Sequence, residues 1–193
     1  MTPTTTATST QLPIAPGEYA LDPSHTSVGF TARHLMVSRV RGTFERVQAR
    51  IRAGESLEAS AVEATIDAAS VNTRDEKRDA HLRSPDFFDT DHFPTMTFRS
   101  RRVDQTGEGR YAVTGDLSIR DQTHPVTLDV EYLGAATSPW GTPVWTISAS
   151  AEIDREQWGL TWNVALESGG VLVSRRIQLE IEAEIIPAAL TAA

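Results

Sequence analysis

The 193-residue chain has no cysteine, so it forms no disulfide and offers no thiolate to a metal or a substrate. Lysine is nearly missing as well: Lys77 stands alone, and every other strongly basic side chain is an arginine. Positive charge is in deficit, with 18 Lys and Arg against 26 Asp and Glu and a net charge of −8. That balance excludes a broad basic face for nucleic acid. No apolar run approaches the ~20 residues of a membrane-spanning helix. Residues 1–16 are rich in Thr, Ala, Ser and Pro and lack the basic start and apolar stretch of a signal peptide. They are expected to form a disordered tail, as are residues 188–193, on either side of one domain over residues 17–187. Without cysteine or a recognisable leader, the expected location is the cytoplasm.

What is present is alternation of period two. Val28, Phe30, Ala32 and His34 share one strand face, and Val40, Gly42 and Phe44 share the next. The apolar parity then shifts to Val47, Ala49 and Ile51, which predicts a β-bulge near Glu45-Arg46. Long alternating runs follow: Val62 to Ala68, Tyr111 to Ile119, Val126 to Tyr132, Trp145 to Ile153, and a last one ending at Ile185. A turn is expected over Asp121 to His124. About eight long strands joined in sequence favour a closed antiparallel barrel over a sandwich. Several inward positions are small: Ala32, Gly42, Ala64, Ala68, Gly115, Ala149 and Ala183. An unfilled void of that size costs stability, so a cavity with an apolar occupant is the simpler account.

Residues 64–100 interrupt the alternation. Thr73 with Glu76 has the pattern of a capping box and predicts a helix start, and Ser84-Pro85 predicts its end. Asp79 and Arg83 have i,i+4 spacing. Arg74, Lys77, Arg78 and Arg83 form either a solvated helix face or an arginine gate for an anionic head group. Phe87, Phe88 and Phe93, with Leu82 and Met96, form either a plug or the wall of a ligand pocket. His34 faces inward as a structural residue or as a hydrogen-bond partner for a ligand. Asp22, Ser24 and His25 are too close in sequence for triad geometry, and no Gly-x-Ser-x-Gly elbow exists. A turn with His25 packed beside it is expected there. The five histidines match no metal motif, so no metal is expected. His81 with Asp89, Asp91 or His92 is the best remaining grouping. Trp158 and Trp162, flanking Gly159, read as structural cover for a barrel end.

His81-Leu82-Arg83-Ser84-Pro85-Asp86-Phe87-Phe88-Asp89, followed by Phe93-Pro94 and Phe98-Arg99-Ser100, resembles the signature of the YceI family. The segments Leu21-Asp22-Pro23-Ser24-His25, Val113-Thr114-Gly115-Asp116-Leu117 and Ile153-Asp154-Arg155-Glu156-Gln157-Trp158-Gly159 resemble the same family in collinear order. The resemblance implies an all-β fold: an extended eight-stranded antiparallel lipocalin-like β-barrel with a short helical insertion near residues 73–90. It implies non-enzymatic binding, storage or transport of an isoprenoid quinone or polyprenyl lipid, with no cofactor beyond that ligand, and it admits a homodimer. The expected channel is formed by Val28, Phe30, Phe44, Ile66, Leu82, Phe87, Phe88, Phe93, Met96, Phe98 and Leu117, with Arg33 and His34 at the head-group end. Two other readings stand beside it: a filled-core structural or stress-response barrel acting through a protein partner, and an enzyme acting on a prenyl or quinone substrate.

Overall fold

The computed structural model describes residues 12–35, 37–167 and 169–190. The described residues form β1 (Gly17–Leu21), β2 (Ser27–His34), β3 (Ser38–Phe44), β4 (Val47–Ala53), β5 (Ala61–Asp67) and β6 (Val71–Asn72). After the helix α1 (Glu76–Arg83) come β7 (Thr95–Gly107), β8 (Arg110–Ile119), β9 (Gln122–Thr137), β10 (Pro143–Asp154) and β11 (Val173–Pro187). The order β1-β4-β5-β7-β8-β9-β10-β11, with β11 pairing back onto β1, closes an eight-stranded antiparallel barrel. β2, β3 and β6 continue β1, β4 and β5 beyond kinks. β11 spans the first of these, pairing Ile185 with Leu21 of β1 and Ile181 with Val28 of β2.

The kinks are written in short polar side chains that bind their own backbone. Asp22 accepts from the Ser24 N–H at 2.8 Å and starts the 3-10 turn between β1 and β2. Asp67 accepts from the Ala69 N–H at 2.9 Å and starts the turn before β6. This is the local bonding that lets Asp end a strand. Between them, the parity shift after Phe44 is a full break. Ser70 takes the Glu45 N–H on its carbonyl and the Arg46 N–H on its hydroxyl, each at 3.1 Å. Three neighbouring strands therefore bend together, and the outer edge of β6 carries no further strand among the described residues. Helix α1 and the turns after it pack over that gap.

Several details differ from the sequence reading. The cap of α1 is Asp75, not Thr73: its carboxylate accepts from the Lys77 and Arg78 N–H groups at 3.1 Å. Thr73 is drawn inward because buried Asp79 accepts from its N–H at 2.8 Å and its hydroxyl at 2.6 Å. Asp79 is thereby occupied, and Arg83 instead donates to the carbonyls of Ala69 and Val71 at 2.9 and 3.0 Å. The turn between β8 and β9 is tighter than expected. Ile119 pairs with Gln122, leaving only Arg120, at φ +56°, and Asp121 outside the strands. Gly42 and Gly115 do not leave open volume either. A Cβ on Gly42 would lie 2.5 Å from the Phe30 ring, and one on Gly115 would lie 2.6 Å from the Phe98 ring. Each glycine is a seat for a phenylalanine.

Candidate functional site: an apolar channel through the barrel

The inward faces enclose a cavity of about 320 Å³. Its lining is almost wholly aliphatic and aromatic, and Arg52 and Arg155 are its only charged members among the described residues. On β11 the lining extends from Val173 to Ile185, roughly 40 Å along the strand at the usual rise per residue. One end is lined by Phe87, Phe88, Leu82 and Leu160. The other end holds Trp145 packed edge-on to Tyr19 at 5.2 Å, with Leu12, Pro13 and Ile14 beside it. Those three residues fall within the tail expected from the sequence. Here they wall the cavity, and the Tyr19 hydroxyl holds the segment by donating to the Ala15 carbonyl at 2.8 Å. Residues 1–11 lie outside the described residues.

The structure brings together Val28, Phe30, Phe44, Ile66, Leu82, Phe87, Phe88, Met96, Phe98 and Leu117 on one lining. Phe44 links two of these groups, with ring centroids 5.7 Å from both Phe30 and Phe88. Phe93, Arg33 and His34 are not on it. The Asp89 carbonyl accepts from the Phe93 N–H at 2.9 Å and turns the chain, and the Phe93 ring lies 5.7 Å from the Arg120 guanidinium instead of in the channel. Arg33 points to solvent while its N–H donates to the Ser174 hydroxyl at 2.9 Å. His34 is half-buried at the rim, paired in register with Val173 of the lining. Two of the candidate gate arginines are bonded to backbone. Arg78 donates to the Thr73 carbonyl at 3.0 Å, and Arg83 is tied to Ala69 and Val71 as described above.

Sequence reasoning missed Arg155. It lies in the 3-10 turn Arg155–Trp158 that follows β10, and it is 3% exposed. Ile147, Ala149, Ala151 and Ile153 alternate inward on β10, and continuing that parity by two residues reaches Arg155. Its Nε donates to the Ser174 carbonyl at 3.0 Å and its Nη1 donates to the Leu160 carbonyl. Burial lowers its pKa from the ordinary guanidinium value.

His81 and His92 pair locally. His81 contacts Asp86 at 2.9 Å and His92 contacts Asp89 at 2.9 Å, so the grouping of His81 with Asp89, Asp91 or His92 does not form. His25 lies beside the Asp22 turn, as expected. Both Asp22 and Glu184 approach the same His25 Nδ1, at 3.1 and 3.5 Å. The two carboxylates thus converge on one imidazole nitrogen. The hydrogen bond to Asp22 raises the His25 pKa, and the Glu184 charge adds to the effect. A raised folded value means the contact stabilises fully below the unfolded value of about 6.5 and is lost as pH rises through the folded one. His25→Asn is therefore expected to lower the melting temperature at about pH 5.5 and to leave it unchanged at about pH 9. Thermal unfolding of both proteins at the two pH values checks this.

A YceI-like domain model matches residues 19–185. A UPF0312 protein of Staphylococcus aureus (strain USA300) is 39% identical over 171 residues, covering 86% of this chain and 95% of the relative. The crystal structure of the Campylobacter jejuni YceI protein aligns with a TM-score of 0.68 at 31% identity, over 80% of this chain and 88% of that one. A polyisoprenoid binding domain from Saccharophagus degradans, implicated in plant cell wall breakdown, aligns with a TM-score of 0.64 at 16% identity, over 88% of this chain and 98% of that one. With its closed barrel, its kinked first hairpin and a family match across nearly the whole barrel, this chain belongs to the YceI family.

Proposed function

We propose that this protein binds a long apolar isoprenoid lipid, an isoprenoid quinone or a polyprenyl lipid, inside the barrel, and stores or carries it without chemical change. The observation that carries the reading is the cavity, about 320 Å³ in volume and lined almost wholly by apolar side chains. Polar networks hold buried water in place, whereas a dry apolar void suits an apolar guest. Transfer of a prenyl chain from water into such a channel is favourable by about 25 cal/mol per Å² of apolar surface removed from solvent. The elongated shape fits a chain better than a compact ring system. The likeness to the Saccharophagus degradans polyisoprenoid binding domain supports the same ligand class.

The test is organic extraction of the natively purified protein, followed by mass spectrometry. The expected result is an isoprenoid lipid in near-stoichiometric amount. An empty extract, together with no uptake of added ubiquinone or geranylgeraniol, overturns the reading in favour of a structural barrel that acts through a protein partner.

A further inference from the structure

Among the described residues, the channel contains a cation without a counter-ion. Buried charges in proteins are ordinarily paired, because removing an ion from water is costly. The neighbours of Arg155 in sequence, Asp154 and Glu156, are taken by Arg175, at 2.5 and 3.3 Å. No carboxylate forms an ion pair with Arg155 among the described residues. Two of its nitrogens are satisfied by the carbonyls of Ser174 and Leu160, and its buried Nη2 has no hydrogen-bond partner among the described residues. A guanidinium keeps its proton in proteins, so this end of an apolar channel carries a fixed positive charge with one donor group unused.

We propose that Arg155 is the anchor for a negatively charged head group on the apolar ligand. The inference rests on the lipid-binding reading above and adds the chemistry of the head: a phosphate or a carboxylate, either of which offers the acceptor oxygens that a guanidinium engages. The Phe87 ring lies 5.9 Å from the Arg155 guanidinium and covers it. A cation over a ring face is a weaker partner than an anion in a desolvated site. Phe87 itself is held from outside the channel: its carbonyl accepts from Arg120 at 3.4 Å, and its ring packs on His81 at 5.1 Å and Trp162 at 5.5 Å. An anionic head bound to the guanidinium takes the place of the Phe87 ring over it, with the tail lying along β11.

The experiment compares three probes with one chain and different heads: geranylgeranyl phosphate, geranylgeranoic acid and geranylgeraniol. Binding is read by quenching of tryptophan fluorescence. The expected result is that the phosphate, the acid or both bind at least ~10-fold more tightly than the alcohol, as a charge-assisted hydrogen bond in a dry site predicts. Whichever acid binds more tightly identifies the head. Arg155→Met is expected to erase the preference between the charged probes and the alcohol, and Arg155→Lys to keep part of it. Equal binding of all three to the wild-type protein overturns the anchor and leaves the lipid-binding reading standing. That comparison decides even if the variants fail to fold. Binding of none of the three overturns the lipid-binding reading itself, and the anchor with it.

Discussion

Ala64→Phe is expected to prevent ligand uptake and leave the fold intact. Ala64 lies on β5, opposite Ala49 of β4 on one side and Phe98 of β7 on the other, and all three line the channel. A phenyl ring at position 64 points into the cavity from the strand face that lines it. Its burial stabilises by about 1.5–3 kcal/mol, and imperfect fit costs a similar amount, about 1–3 kcal/mol. Folding stability should therefore change little. Binding should not survive, because the ring takes the room of about five ligand carbons. At ~0.8 kcal/mol per buried CH₂ this is about 4 kcal/mol, or roughly a thousandfold in Kd. Extraction and mass spectrometry of the variant, with thermal unfolding alongside, measures both halves. Retained ligand would mean that the ligand does not use this channel. A collapsed fold would mean that the alanine wall is tightly packed core and not room for a guest.

Ala64 also shows which parts of the protein can be read from its sequence. Strand alternation is a local signal of period two. Wherever one face is buried, it determines which side chains meet across the barrel, and so Val28, Ile66, Met96 and Leu117 could be placed together although they come from four different strands. The parity shift at Phe44 located a break for the same reason. Positions set by hydrogen bonds between distant segments were less legible. Thr73 and Asp75 both suit a helix start, and only the tertiary pull of Asp79 on Thr73 decides between them. Phe93 looks like Phe87 and Phe88 in composition, but a turn closed on Asp89 sends it outward. Gly42 and Gly115 read as empty volume because the rings that fill them, Phe30 and Phe98, come from neighbouring strands. Arg155 was hidden by its own charge: an arginine after a strand reads as surface loop, although its parity pointed into the channel.

Trp158→Ala is expected to have the largest effect on stability. Trp158 is 1% exposed and sits at the end of the turn that carries Arg155, closed by Gly159 at φ +72°. Its indole N–H donates to the Leu117 carbonyl at 3.0 Å, and its ring meets His124 edge-on at 5.1 Å. Truncation removes the packing of the largest buried side chain, about 3–5 kcal/mol, and one buried hydrogen bond, about 0.5–1.5 kcal/mol more. Against a typical stability of about 5–15 kcal/mol, the variant is marginal or unfolded. Trp158→Phe keeps most of the ring and loses the hydrogen bond, so a cost nearer 1–2 kcal/mol is expected. Urea unfolding of the two variants separates packing from hydrogen bonding. Repeating it with saturating ligand links the cost to function. A ligand that binds only the folded barrel adds about 2.7 kcal/mol at a hundred times its Kd, so it should shift the Trp158→Phe midpoint upward. The same ligand should not shift the midpoint of Ala64→Phe, whose channel is filled. A shift in Ala64→Phe equal to that in Trp158→Phe would show that the stabilising site lies outside the barrel interior.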